Sequence, residues 1–308
     1  MTLVVTVNGP DTIWALADRR LSYPKGVYKD NARKIMFLET TDGCAILSYA
    51  GLGATGLGTE PSDWMSRVLR GVNAPLEQSL GILADAMKRQ FPQHMVRMFG
   101  SASPTHSIVA TAFVNDEPRL YTIDLAFTAD RRKYHFGYTR HARPRPGSAT
   151  RLETPRIFVT GTGGLYLAQT ARKGWMRPLI KVVQAHDRGL LSAQAVSDHL
   201  AALNEEVREA VPTVGPKCIV AWRYREPDSR KEGSGQFFYS ATKHDPASRA
   251  ALPTILSGMD FGPIVNVLVP HVLKHFDAVK KGQPPEELDI AAMNEELSRL
   301  PGRDEHLQ

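Results

Sequence analysis

Cysteine is nearly missing from this chain of 308 residues: there are two, Cys44 and Cys218. Both sit inside apolar, strand-like runs, CAILSYA and CIVAW. Two thiols cannot build a disulfide framework, and neither stands in the paired spacing of a zinc site. Buried structural thiols are the expectation, and no metal or organic cofactor is called for. Long hydrophobic runs are missing too, since no window approaches the ~20 apolar residues of a membrane span, so no membrane partner is expected. The first residues have neither the basic n-region nor the small-residue cleavage site of a secretory signal, which makes a cytoplasmic location the expectation.

What is present is ordinary for a globular chain, with 42% hydrophobic and 23% charged residues and room for a sizeable core. The net charge of +6 is concentrated in ADRRKYHFGYTRHARPRPGSATR, residues 129–151. Without a recognisable nucleic-acid module beside it, that segment reads as a solvated basic loop, and nucleic acid is not an expected partner.

Hydrophobic patterning orders the chain. TLVVTVN and TIWALAD are short β-branched or aromatic runs split by the turn signal NGPD; KIMFLET and CAILSYA follow, split by TTDG. PSDWMSRVLRG then begins with helix start signals, and PLEQSLGILADAMKRQ places Leu76, Leu80, Leu83 and Met87 on one helical stripe. Strands return with HSIVATAFV, RLYTIDLAF and RIFVTGTGG. A second helical pair is predicted over about 165–185 and 192–210, the latter capped by Ser192. KCIVAWRY and GQFFYSAT close the pattern.

Strands, two helices, strands, two helices, strands: this order suits two antiparallel sheets stacked face to face with helices outside each. The expectation is an α+β, four-layer αββα sandwich over residues 1–245. Residues 246–308 read as a C-terminal helical extension, with Pro270 inside its first helix.

One motif tempts in the wrong direction. GLGATG at 51–56 fits the G-x-G-x-x-G pattern after a strand, but LGTE separates it from the helix whose N-terminus would have to face a pyrophosphate. A nucleotide-binding enzyme is therefore a minor alternative, tested by saturable dinucleotide binding.

A spacing points elsewhere. Asp18 lies sixteen residues after Thr2, and Lys34 sixteen after Asp18. ADRR and ARKI each stand where a strand meets a loop, SYAG ends a strand at Gly51, and GTGGLYLAQTARK (161–173) runs from a glycine turn into a helix. In these four stretches the chain resembles the proteasome β-subunits and their bacterial relative HslV, the N-terminal-nucleophile (Ntn) threonine hydrolases, in element order over residues 2–245. Each residue also has a plainer reading: Asp18 with Arg19 and Arg20 as an exposed charged turn, Lys34 as a solvated strand end, the glycines as tight turns.

The resemblance implies a peptidase acting through Thr2, exposed by removal of Met1. A threonine hydroxyl needs a nearby base, and an α-amine titrating at ~8 on the same residue can serve. By the same resemblance Lys34 supplies positive charge beside Thr2, Asp18 orients Lys34, the Gly51 N–H stabilises the oxyanion, and Thr162 helps anchor the amine. It also implies a peptide or protein substrate and a homo-oligomer, a ring included, and leaves any ATPase or cap partner unknown. The imperfect Glu209/Thr213 region and the long C-terminal extension favour another reading, an inactive proteasome-like scaffold or binding protein. The interval from Lys34 to Gly51 is longer than in the family, which we read as a longer ETTDG turn. After the second helical pair, EEVREAVPTVGPK offers only Glu209 and Thr213 where the family has an Asp and a Ser-Gly turn.

Overall fold

The structure is a computed structural model, and it describes residues 2–22, 28–51, 60–99, 106–127, 134–142, 154–170, 174–225, 234–245, 251–280 and 289–300. Strands β1 (Val4–Asn8) and β2 (Thr12–Asp18) form the first hairpin. A small ribbon of β3 (Leu21–Ser22) and β4 (Tyr28–Lys29) follows. β5 (Ile35–Thr40) and β6 (Gly43–Ala50) form the second hairpin. Helices α1 (Pro61–Leu69) and α2 (Leu76–Phe99) lead to β7 (Ser107–Val114), β8 (Glu117–Phe127), β9 (Tyr134–Arg140) and β10 (Arg156–Thr160). Three helices, α3 (Gly161–Gln169), α4 (Met176–Asp187) and α5 (Ala193–Ala210), precede β11 (Lys217–Tyr224), β12 (Gly235–Ser240) and β13 (Lys243–His244). The chain continues through β14 (Thr254–Leu256), β15 (Met259–Asp260), α6 (Phe261–Lys280) and α7 (Ile290–Ser298).

Besides the ribbon, the described strands form two large sheets, and the fold is mixed α+β. One runs β10-β1-β2-β11-β12-β13; the other runs β15-β14-β5-β6-β7-β8-β9. Alternation along the strands explains why they read as unbroken apolar runs: both faces are buried. Val4, Ile13, Ala15 and Ala17 meet Ile35, Phe37, Ile46 and Val109 of the other sheet in one core cluster. Val5, Val7, Trp14 and Leu16 point the opposite way, onto Leu179, Val183, Val196 and Leu200 of α4 and α5. Met36, Leu38 and Leu47 of the second sheet pack with Trp64 and Val68 of α1 and with Leu76, Leu80, Leu83 and Met87 of α2. Burying each such side chain is worth about 1.5–3 kcal/mol. Ser192 caps α5, its hydroxyl accepting from the Ala195 N–H at 3.3 Å.

Several sequence readings change. The ETTDG turn is short: Thr40 pairs with Gly43, leaving a two-residue loop. GTGG is no free turn but the first turn of α3, and the helix expected over 165–185 is two helices. Within the basic segment, Tyr134–Arg140 is a strand paired with β8; the parts of the segment at 129–133 and 143–151 lie outside the described residues. Past residue 250 the chain is not helical at once. β14 adds to the second sheet parallel to β5, with Thr254 opposite Phe37. Asp260, at the end of β15, accepts from Ser66 Oγ at 2.8 Å and from Arg70 Nη2 at 2.7 Å, tying this segment to α1. Cys44 and Cys218 are buried free thiols. Among the described residues no helix is long and apolar enough to cross a membrane.

Candidate active site

The two hairpins deliver three polar side chains to one point. Register places Val4 opposite Ala17, so Thr2 and Leu3, just before β1, lie beside Asp18 at the end of β2. The Asp18 N–H donates to the Leu3 carbonyl at 3.1 Å, and the Leu3 N–H donates to Asp18 Oδ1 at 2.9 Å. Lys34 leads into β5 on the other sheet, and its carbonyl accepts from the Tyr49 N–H at 2.8 Å. From there Lys34 Nζ crosses to Asp18 Oδ1 at 3.0 Å and donates to Thr2 Oγ1 in a short hydrogen bond. Thr2, Asp18 and Lys34 each have 0% exposure. The reading of Asp18–Arg19–Arg20 as an exposed charged turn therefore does not hold, nor does that of Lys34 as a solvated strand end.

Burying two charges is tolerated only where their remaining valences are met. Here they are. Asp18 Oδ2 accepts from the backbone N–H groups of Arg20 and Gly215, both at 3.1 Å, so the carboxylate takes four hydrogen bonds in all. Burial pushes the Lys34 ammonium below its ordinary pKa, with the charge and hydrogen bond of Asp18 opposing. The result is an amine more ready than a surface lysine to be neutral, in contact with a hydroxyl.

The glycine turn supplies a seat for Thr2. The Gly163 N–H donates to the Thr2 carbonyl at 3.2 Å. Gly161 stands at φ +82°, and a Cβ there would lie 2.1 Å from that same carbonyl oxygen, so only glycine fits. Thr162 Oγ1 shares a 3.0 Å hydrogen bond with Thr213 Oγ1. Gly51 is buried just beyond β6, two residues past Tyr49, at the same end of the sheet as Lys34. Glu209 faces solvent on α5 and takes no part in this cluster. The remainder of GLGATG, residues 52–56, lies outside the described residues.

Sequence reasoning missed the donors to Asp18. Gly215 is far away in sequence, and its contribution is a backbone N–H, which carries no residue signature. The pairing of Thr213 with Thr162 likewise needed the fold, although Thr213 itself stood out as the nearest hydroxyl. Among the described residues no three His, Cys, Asp or Glu side chains are grouped as metal ligands.

No family model and no curated protein matches the chain in sequence. Among solved structures, it is similar to Anbu, an ancestral β-subunit, from Yersinia bercovieri, at 13% identity and TM-score 0.44 over 80% of this chain and 89% of that one. A mutant of Anbu from Hyphomicrobium sp. strain MC1 gives 11% identity and TM-score 0.43 over 80% of this chain and 90% of that one. A further Anbu structure from the same strain gives 10% and 0.41, covering 75% and 86%. Likeness at this level says nothing about activity. It does correct the expectation of a proteasome β-subunit or HslV-type chain, since these similar structures are Anbu proteins. The physical reason is that intervals of sixteen residues record what two hairpins need to bring three side chains together. They do not record which proteins share those hairpins.

Proposed function

We propose that the chain is a threonine-type amide hydrolase, most simply a peptidase, built as a four-layer αββα sandwich of the N-terminal-nucleophile type over residues 1–245. The extension at 246–308 is added to that body. The observation that carries this reading is the contact of Lys34 Nζ with Thr2 Oγ1 and Asp18 Oδ1 in one fully buried cluster. A buried ion pair ending on a hydroxyl at the second residue has no evident packing role that an apolar trio would not fill better.

In this reading Met1 is removed, as methionine ordinarily is before threonine. The neutral α-amine of Thr2 takes the Oγ1 proton as oxygen bonds to the carbonyl carbon of the substrate. Lys34 and Asp18 hold the field that favours the deprotonated hydroxyl, and the Gly51 N–H receives the oxyanion. The C–N bond then breaks and the leaving amine takes the proton from the α-ammonium. Water hydrolyses the ester, giving one proton back to Thr2 Oγ1. The protein works as a homo-oligomer in the cytoplasm on a peptide or protein substrate.

The test is the intact mass of untagged protein before and after a β-lactone. Loss of Met1 and a single adduct on Thr2, absent from Thr2→Ala, supports the hydrolase. A retained Met1, or a free Thr2 that never reacts, leaves the second reading: an inactive scaffold or binding protein, favoured by the solvent-facing Glu209 where a site acid was expected.

A further inference from the structure

Asn204 is fully buried in the middle of α5, among Leu203, Val207 and Leu200, where an apolar residue would pack without cost. Its Nδ2 donates to the Gly215 carbonyl at 3.1 Å, while its Oδ1 has no hydrogen-bond partner among the described residues. A buried amide half satisfied in this way is destabilising by itself. What it grips is the loop between α5 and β11. That loop supplies the Gly215 N–H to Asp18 Oδ2, and its Thr213 hydroxyl pairs with Thr162 at the start of α3. Arg20 grips the same loop from outside, Nη1 donating to the Pro212 carbonyl at 2.7 Å. Gly215 also packs so closely on Arg20 that a Cβ would stand 2.8 Å from Arg20 Cβ. The loop is thus held by Asn204 on the inner side and by Arg20 on the outer.

We infer that Asn204 is a positioning residue for the Asp18–Lys34–Thr2 cluster, acting through Gly215. This deepens the proposed hydrolase reading and rests on it for the catalytic consequence alone. Without the Asn204 bond the loop relaxes, Asp18 loses its Gly215 donor, and the carboxylate holds Lys34 less well. The charged groups that bear on Lys34 are Asp18, Asp30 and Arg20, and none of them is altered by the substitution.

The experiment uses the full chain with Asn204→Leu, the milder Asn204→Ser, and Ser197→Ala as control. Ser197 is buried on the same helix, but its hydroxyl bonds back to the Ala193 carbonyl at 2.9 Å and does not reach the loop. Two readouts are taken on folded protein. One is the rate of Thr2 acylation by a β-lactone, separated into its maximal rate and its half-saturating concentration. The other is the titration of the Lys34 side chain followed by NMR. Both Asn204 variants are expected to lower the maximal acylation rate about tenfold, the size of one hydrogen bond to a charged group, with the half-saturating concentration unchanged. They are also expected to move the Lys34 titration to lower pH, while Ser197→Ala moves neither. Unchanged rate and titration in both Asn204 variants, or equal changes in Ser197→Ala, would overturn the assignment. If wild-type Thr2 never reacts but the Lys34 titration shifts as expected, the positioning role stands and the hydrolase reading falls.

Discussion

Replacing Asp18 by asparagine tests the buried pair most directly. Asparagine keeps the shape and one acceptor oxygen. Its amide nitrogen, however, must face backbone donors that now point at Asp18 from 2.9–3.1 Å, and Lys34 loses its counter-charge. Removing one partner of a buried ion pair costs about 3–5 kcal/mol, and a donor left unmet adds about 1–3 kcal/mol. Lys34 can escape part of this by releasing its proton, since burial already depresses its pKa and Asp18 is the chief effect opposing that. The sign follows from linkage. A lysine depressed in the fold binds fewer protons there than in the unfolded chain, from its folded pKa up to ~10.4, so stability rises with pH across that window. Asp18→Asn lowers the folded pKa further and widens the window downward. The loss against wild type is thus largest at the acid end and shrinks as pH rises, by about 1.4 kcal/mol for each unit of added depression. Urea unfolding near pH 6.5 and near pH 9.5 measures it. We expect a loss of about 3–5 kcal/mol at the lower pH, less at the higher, and recovery to within about 2 kcal/mol of wild type when Lys34→Met is added. A loss below about 1 kcal/mol near pH 6.5, or one that grows with pH, would refute the pairing.

Three further outcomes follow from the same geometry. Gly161→Ala puts a Cβ 2.1 Å from the Thr2 carbonyl at a positive φ; it should cost about 2 kcal/mol or more in urea unfolding and also reduce labelling of Thr2. Thr213→Val removes the partner of the Thr162 hydroxyl; a loss of about 1 kcal/mol in thermal unfolding is expected, and no change would mean the pair holds nothing. Asp260→Ala strips a buried carboxylate from Arg70 and Ser66. Limited proteolysis should then cut between 246 and 262 faster than in wild type, and an unchanged rate would show that this contact does not hold the extension to α1.

The parts of the site visible in sequence were those whose signal is local. Thr2, Asp18 and Lys34 sit at strand ends within a few residues of a turn; the first hairpin sets Thr2 beside Asp18, and the stacking of the second sheet brings Lys34 to both, while the apolar stripe on α2 carries a 3.6-residue period by itself. The Gly215 and Gly163 donors are backbone groups, and no side-chain pattern marks them. Asn204 carries no local signal of its role, because its partner is the Gly215 carbonyl on the loop beyond the helix. The short strand at Thr254–Leu256 failed for a related reason: three residues have no readable period, and its partner β5 lies more than 200 positions earlier.

That last pairing changes how the extension relates to the site. Phe37, three residues past Lys34, donates its N–H to the Pro253 carbonyl at 2.9 Å, and Arg33, one residue before Lys34, donates to the Ala251 carbonyl at 3.3 Å. Arg33 is also held to Glu60 and Asp63 of the α1 end at 3.1 and 3.0 Å. The strand that carries Lys34 is thus bounded by β6 on one side and by residues 251–256 on the other. Cutting the chain after residue 280 should leave this strand intact, whereas cutting after 245 exposes the edge of β5 and frees Arg33 from one of its three anchors. If the cluster depends on that edge, the shorter chain loses Thr2 labelling and the longer one keeps it. Equal labelling in both would show that the first hairpin and β6 alone fix Lys34.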